Sequence, residues 1–147
     1  MDIKITVSIT PNLKRLLSQP KVEMTRAIRS GMTNLVSEIE ARAVKEAPVR
    51  TGNLVDSISS NVSMDGTKGQ VNVGAEYGLF VHRGTGLFGP FKQLIRPTTK
   101  KALFWPGAAH PVKSVKGMKP NPFFTRAIKK IKPQEVFEKG MMGYLKF

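Results

Sequence analysis

The sequence contains no cysteine, which excludes disulfide scaffolds, thiolate nucleophiles and every cysteine-ligated metal site together. Histidine is nearly as scarce: His82 and His110 are the only soft ligands, and neither stands in an HExxH pattern or beside paired carboxylates. A zinc centre, a Ser-His-Asp site and a bound cofactor are therefore not expected. No run approaches the roughly 18–20 apolar residues that span a bilayer, and the opening Met1-Asp2-Ile3-Lys4-Ile5-Thr6-Val7 lacks the basic-then-apolar plan of a signal peptide. The expectation is a soluble protein, cytoplasmic when made, with no membrane partner. Neither an internal repeat nor a low-complexity segment interrupts the chain, whose 147 residues fit a single domain spanning 1–147.

Negative charge is missing by position. The ten acidic residues lie at or before Glu76 or at Glu135 and Glu138, so the 58 residues 77–134 contain no Asp or Glu. The same stretch holds twelve of the 24 Lys and Arg, within a chain whose net charge is +14. Clustered cations gain affinity for polyanions by releasing counterions from phosphates, so a polyanionic partner is indicated, against the plain alternative of a solvated basic face. Asp56, Asp65 and Glu76 are the only acids near the middle, and they would serve a two-metal nuclease only if folding brought them together.

What is present divides by periodicity. Ile3, Ile5, Val7 and Ile9 alternate with Lys4, Thr6 and Ser8, the period of a half-buried strand that Pro11 stops. A short helix is expected over 12–18, with Leu13, Leu16 and Leu17 on one side and Asn12 as its cap. From 21 to about 47, Met24, Ile28, Met32, Leu35, Ile39 and Ala43 recur at spacings of three and four, with Arg29, Asn34, Glu38 and Arg42 outside. That predicts one long helix of about 26 residues, roughly 39 Å at 1.5 Å per residue, ended by Pro48. Gly31 weakens its middle by about 1 kcal/mol relative to Ala and is expected to mark close packing. Val62 and Met64, then Val71 and Val73, flank a loop at 65–69 and predict a β-hairpin. Short strands are expected over 102–105 and 112–115 with a turn at 106–111, then a helix capped by Asn121 with Pro122 first, and after Pro133 a further turn or two of helix and a tail.

Three short motifs carry a resemblance. Ala47-Pro48-Val49-Arg50-Thr51-Gly52-Asn53-Leu54 with Ser57-Ile58, then Tyr77-Gly78-Leu79-Phe80-Val81-His82-Arg83-Gly84-Thr85-Gly86, then Gly117-Met118-Lys119-Pro120-Asn121-Pro122-Phe123-Phe124 stand in an order and spacing similar to the phage tail-component family named for gene product ten of phage HK-ninety-seven. Two positions depart from it: Gly78 stands where the family usually has alanine, and His82-Arg83 where it often has an acid. The resemblance implies an α+β fold in which a long helix packs on an antiparallel sheet, with extended loops or arms and a short C-terminal helix. It also implies a ring in the virion neck or tail, commonly sixfold and in some connectors twelvefold, touching head-closure or adaptor, tail-terminator or tail-tube proteins and passing double-stranded DNA.

Read physically, Pro48, Thr51, Gly52 and Leu54 form a turn from helix to sheet, in which Gly52 is free to take positive φ and the Thr51 hydroxyl is able to satisfy a turn N–H. Gly84, Thr85 and Gly86 lack the following Lys-Ser or Lys-Thr of a P-loop and are expected to let backbones approach closely. Tyr77, Phe80, Pro122, Phe123 and Phe124 are candidates for a subunit interface. Adjacent aromatics at a helix start suit one ring in the core and one on a neighbour, and closure of the core by both stays open. Trp105, between Phe104 and Pro106, is assigned to core or interface because spaced aromatics of a strand-binding platform are not evident. An extended basic loop at about 84–101 places Lys92, Arg96, Lys100 and Lys101 for contact with DNA in a channel or with an acidic partner. The leading expectation is a non-catalytic ring subunit of a tailed phage. A basic nucleic-acid-binding module of the cytoplasm and a small phage nuclease are its alternatives.

Overall fold

The computed structural model describes residues 3–8 and 22–145. The short helix expected over 12–18 lies outside them, as do Ile9 and Pro11. The elements are β1 (Ile3–Ser8), α1 (Val22–Glu46), α2 (Asn53–Asp56), β2 (Ile58–Val62), β3 (Lys68–Val73), α3 (Gly78–Arg83), a 3-10 turn (Gly86–Phe88), α4 (Phe123–Lys129) and α5 (Pro133–Leu145). The fold is α+β, with a long helix against an antiparallel sheet. The described residues up to Ala75 and from Phe123 onward make one compact unit, and Glu76–Pro122 makes a second.

In the first unit β3 is the central strand, flanked antiparallel by β1 and β2 in the order β1-β3-β2. Register follows the period-two pattern: Ile3 pairs with Val73, Ile5 with Val71 and Val7 with Gly69, while Ile58 meets Val73 from the other side. One face of β3 is therefore buried through Gly69, Val71 and Val73, and Lys68 points out. A slip by one residue would invert this, so burial fixes the register. Lys4, Thr6 and Ser8 stay exposed on the edge strand β1, where a charge discourages pairing with a further chain.

Helix α1 packs on the sheet through β2 and β3, and also on α4 and α5. Ala27, Ile28, Met32, Leu35, Val36, Ile39 and Ala43 are all buried; Ala27 and Val36 join the stripe of the sequence, whereas Met24, expected on it, is exposed. Gly69 lets β3 come close: a Cβ there would run into Val36 Cγ1 and lie 2.9 Å from Met32 Sδ. The hairpin tip follows the same rule, since a Cβ on Gly66, which has φ +72, would fall 2.6 Å from Arg29 Cα. Within that tip Asp65 accepts from the Ser63 hydroxyl at 2.5 Å, the Thr67 hydroxyl at 2.7 Å and the Thr67 N–H at 3.1 Å. These donors hold its carboxyl well below the usual range, the Ser63 hydroxyl contributing most.

The other side of α1 is made for α5. A Cβ on Gly31 would sit 2.8 Å from Phe137 O, and one on Gly140 would lie 3.0 Å from Gly31 Cα. Asn34, expected on the solvent side, instead donates through Nδ2 to Val136 O at 2.7 Å, and the Ser30 hydroxyl donates to Gly140 O at 3.0 Å. Helix α5 runs for 13 residues where a turn or two was expected. Its two glycines disfavour a long helix in isolation, and docking on α1 overrides that preference. At the end of α1, Glu46 takes Arg126 Nε at 3.0 Å and Lys130 Nζ, tying α4 to α1. The Lys130 and Arg126 bonds lower the Glu46 pKa from its ordinary value.

Candidate interaction surface

The turn after α1 belongs to the first unit. Ala47 and Leu54 are buried, whereas Pro48 and Thr51 are exposed. Gly52 takes φ +86 at the start of α2, which carries no side-chain cap. The turn is closed by Asp56 N donating to Gly52 O at 2.9 Å, not by the Thr51 hydroxyl. Ser57 then joins helix to sheet, its hydroxyl donating to Leu54 O at 2.7 Å and its carbonyl accepting from Gly74 N at 2.9 Å.

Phe123 and Phe124 are 0% and 2% exposed, so both rings belong to the core of the protomer. Of the two alternatives left by the sequence, core closure by both is the one observed, and the expectation that one ring faces a neighbour is corrected. Successive helical positions diverge by about 100°, so both rings can be buried only where a helix start is enclosed on more than one side. The rings pack edge to face with centroids 6.1 Å apart. Pro122 just before them is exposed.

The second unit is held by backbone pairing more than by side chains. Gly84-Thr85-Gly86 zips against residues 116–118: Thr85 N donates to Met118 O at 2.9 Å, Leu87 N to Lys116 O at 2.8 Å, and Met118 N to the Thr85 hydroxyl at 2.9 Å. Gly84 and Gly86 take φ +78 and +62, and a Cβ on Gly84 would lie 2.8 Å from Met118 O. The amides of Gly84, Thr85 and Leu87 are thus spent on carbonyls, Gly84 N on Phe80 O at 2.8 Å, and are not available as a phosphate nest.

Farther out, Ile95 and Val115 exchange bonds of 2.9 and 3.0 Å, and Leu103 and Val112 exchange bonds of 2.7 and 2.9 Å. The two strands expected over 102–105 and 112–115 are reduced to these two isolated bridges. Lys92, Arg96, Lys100 and Lys101 are exposed on this arm, along with Lys113 and Lys116. Lys92 sits at φ +48, a left-handed conformation that costs roughly 1–2 kcal/mol for a side chain with a Cβ. Lys119 Nζ lies 5.9 Å from the Phe88 ring centroid, over its face.

Tyr77 and Phe80 are 42% and 56% exposed at the start of α3, whereas Gly78 and Val81 are buried. Leu87, Phe88, Phe91, Phe104, Trp105 and Met118 in the same unit are also exposed. Trp105 is therefore not a core residue of the protomer, although core was one of its two expected places. The exposed Phe88, Phe91 and Phe104 were not singled out from the sequence. Their only signal was position inside the acid-free stretch, without the period of a helix or strand. Among the described residues no three His, Cys, Asp or Glu side chains are placed to hold a metal ion, and no helix is long and apolar enough to cross a membrane.

No curated protein and no solved structure matches the sequence significantly. The sequence profile of the family described as "Bacteriophage HK97-gp10, putative tail-component" matches residues 8–84. That span is just over half of the 147 residues and includes the turn after α1 and the segment from Tyr77 to Gly84, while the Gly117-to-Phe124 motif lies beyond it. The chain belongs to the bacteriophage HK97-gp10-like family, and its role is structural, in the phage tail.

Proposed function

We propose that this chain is a ring-forming subunit at the neck or tail end of the virion, a head–tail connector or tail-completion protein surrounding the DNA channel. Copies assemble in the host cytoplasm or on the particle into a sixfold ring, twelvefold being the alternative. The ring meets head-closure or adaptor, tail-terminator or tail-tube proteins. Its work is geometric: it matches the symmetry of adjoining rings, seals the joint and leaves a cationic passage for duplex DNA, with no bond made or broken.

The observation that carries this reading is the surface of Glu76–Pro122, which exposes Tyr77, Phe80 and a run of further large apolar side chains together with Lys92, Arg96, Lys100 and Lys101. So many large apolar side chains exposed on one unit mark a surface that another molecule covers. Phosphate contacts need cations and carry no sequence information directly, which suits DNA that only passes through. Native mass spectrometry and negative-stain imaging of the full chain test it. Annuli of defined mass are expected, shifting toward monomer in Tyr77→Ala and Phe80→Ala. A monomer at every concentration, absent also from purified virions, would refute the proposal.

A further inference from the structure

The hairpin closed by the Leu103–Val112 bridge in the second unit has more than a basic passage for duplex DNA requires. Trp105-Pro106-Gly107-Ala108 closes with Ala108 N donating to Trp105 O at 2.9 Å, and Gly107 has φ +93. Proline at the second position and positive φ at the third is the pattern of a type II turn, so the tip is preformed. The Leu103–Val112 bridge anchors its base. On this rigid support Phe104 is 66% and Trp105 47% exposed, and Phe91, beside Lys92 on the same arm, is 86% exposed. Lys100, Lys101 and Lys113 flank the tip and are exposed, with no carboxylate between 77 and 134.

Cations alone bind duplex phosphates, and bases stacked inside a duplex offer no face to an aromatic ring. Unpaired bases do offer one, whatever their identity. An acidic protein surface would answer the lysines and leave the rings unmatched. A second copy of the chain would cover the rings but bring no carboxylate from its own residues 77–134 to Lys100, Lys101 and Lys113. We propose that this hairpin tip binds single-stranded DNA, with phosphates on Lys100, Lys101 and Lys113 and bases stacked on Phe104 and Trp105. The choice of DNA rests on the preceding reading, in which the genome passes through the ring.

Trp105 is the only tryptophan, so its emission reports on the tip alone. The full chain is titrated with oligothymidylate of about 20 nucleotides and with a duplex of equal length, at about 50 and 200 mM salt. The single strand should quench Trp105 emission, and the duplex should bind without quenching. Trp105→Ala and Phe104→Ala, followed by filter binding, should each weaken the single-strand complex by roughly five- to hundredfold while leaving duplex affinity in place. Lys100→Glu with Lys101→Glu should weaken both complexes and flatten their salt dependence. Circular dichroism of each variant confirms that it folds.

Emission unchanged by the single strand, or equal affinity for both DNA forms in Trp105→Ala and the parent, overturns the proposal. So does a loss of oligomer mass in Trp105→Ala without any DNA binding by the parent, which would make the tip a protein contact. Mass measured on the same samples separates the two readings. Rings without quenching refute the tip assignment alone, and quenching by a monomer refutes the ring alone.

Discussion

Replacing Gly69 by alanine puts the packing of α1 on β3 to the test. Its φ is not positive, so the backbone tolerates any residue and only space is at issue. The new methyl would collide with Val36 Cγ1 and lie 2.9 Å from Met32 Sδ and 3.1 Å from Met32 Cγ. The methionine tip can swing aside, but Val36 is 1% exposed and stiff about χ1, so relief requires α1 to lift from β3. Overpacking of this kind costs about 1–3 kcal/mol, and alanine returns about 0.5–1 kcal/mol through its smaller backbone entropy loss in a strand. A net destabilisation of about 1–2 kcal/mol follows from these two terms.

Val36→Ala alone should cost about 2 kcal/mol as a cavity. In the double variant the alanine methyl enters that cavity, so the two costs should fall short of additivity by about 1 kcal/mol or more. Urea unfolding followed by far-ultraviolet circular dichroism, at one protein concentration because assembly would shift the midpoint, gives all four corners of the cycle. A neutral Gly69→Ala, or a strictly additive pair, would refute the claim that α1 rests directly on this glycine.

Gly140→Leu should destabilise more than any surface change on α5, by about 2–3 kcal/mol, because its Cβ would meet Gly31 Cα and Ser30 O, both at 3.0 Å; thermal melting measures it. Asn34→Leu removes the donor to Val136 O and leaves that carbonyl with one partner fewer, at a cost of about 1–2 kcal/mol that Asn34→Asp should not restore, read from urea midpoints. Glu46 has its pKa lowered in the fold by Lys130 and Arg126, so its stabilising effect is complete above its ordinary value of 4.5 and is lost as pH falls through the lower folded value. Glu46→Gln should therefore be less stable than the parent at neutral pH, with the gap closing in acid; a gap that persists or widens there contradicts the assignment. Phe123→Ala should cost about 3–5 kcal/mol of protomer stability, so any loss of assembly in that variant should track its unfolding, unlike the loss expected in Phe80→Ala, which should leave a folded monomer by circular dichroism.

Much of the first unit was legible from residue order, because its signals are local. Alternation of Ile3, Ile5 and Val7 gave β1, the three-and-four spacing from Met24 to Ala43 gave α1 as Val22–Glu46, and the loop between Val62 and Val71 gave the hairpin. Proline and glycine marked the breaks, since fixed φ at Pro48 and positive φ at Gly52 act on the backbone whatever packs around it. The acid-free stretch was equally plain, as charge is read directly from composition.

Tertiary structure decided the rest. A period count puts Asn34 on the solvent side and marks Gly31 as a place of close packing without saying against what, and only the approach of α5 makes the first a hydrogen-bond donor and sets Phe137 against the second. Adjacent Phe123 and Phe124 are ambiguous in sequence and both buried in the fold, because enclosure on several sides is a property of assembled elements and not of a helix alone. Residues 84–118 carry almost no periodicity, since their order comes from backbone bonds between segments some thirty residues apart, such as Thr85 N to Met118 O, and such bonds leave no pattern in side-chain type. What the order of residues fixed was where the charge lies and where the chain bends; which large side chains remain in water depended on how those bends closed on one another.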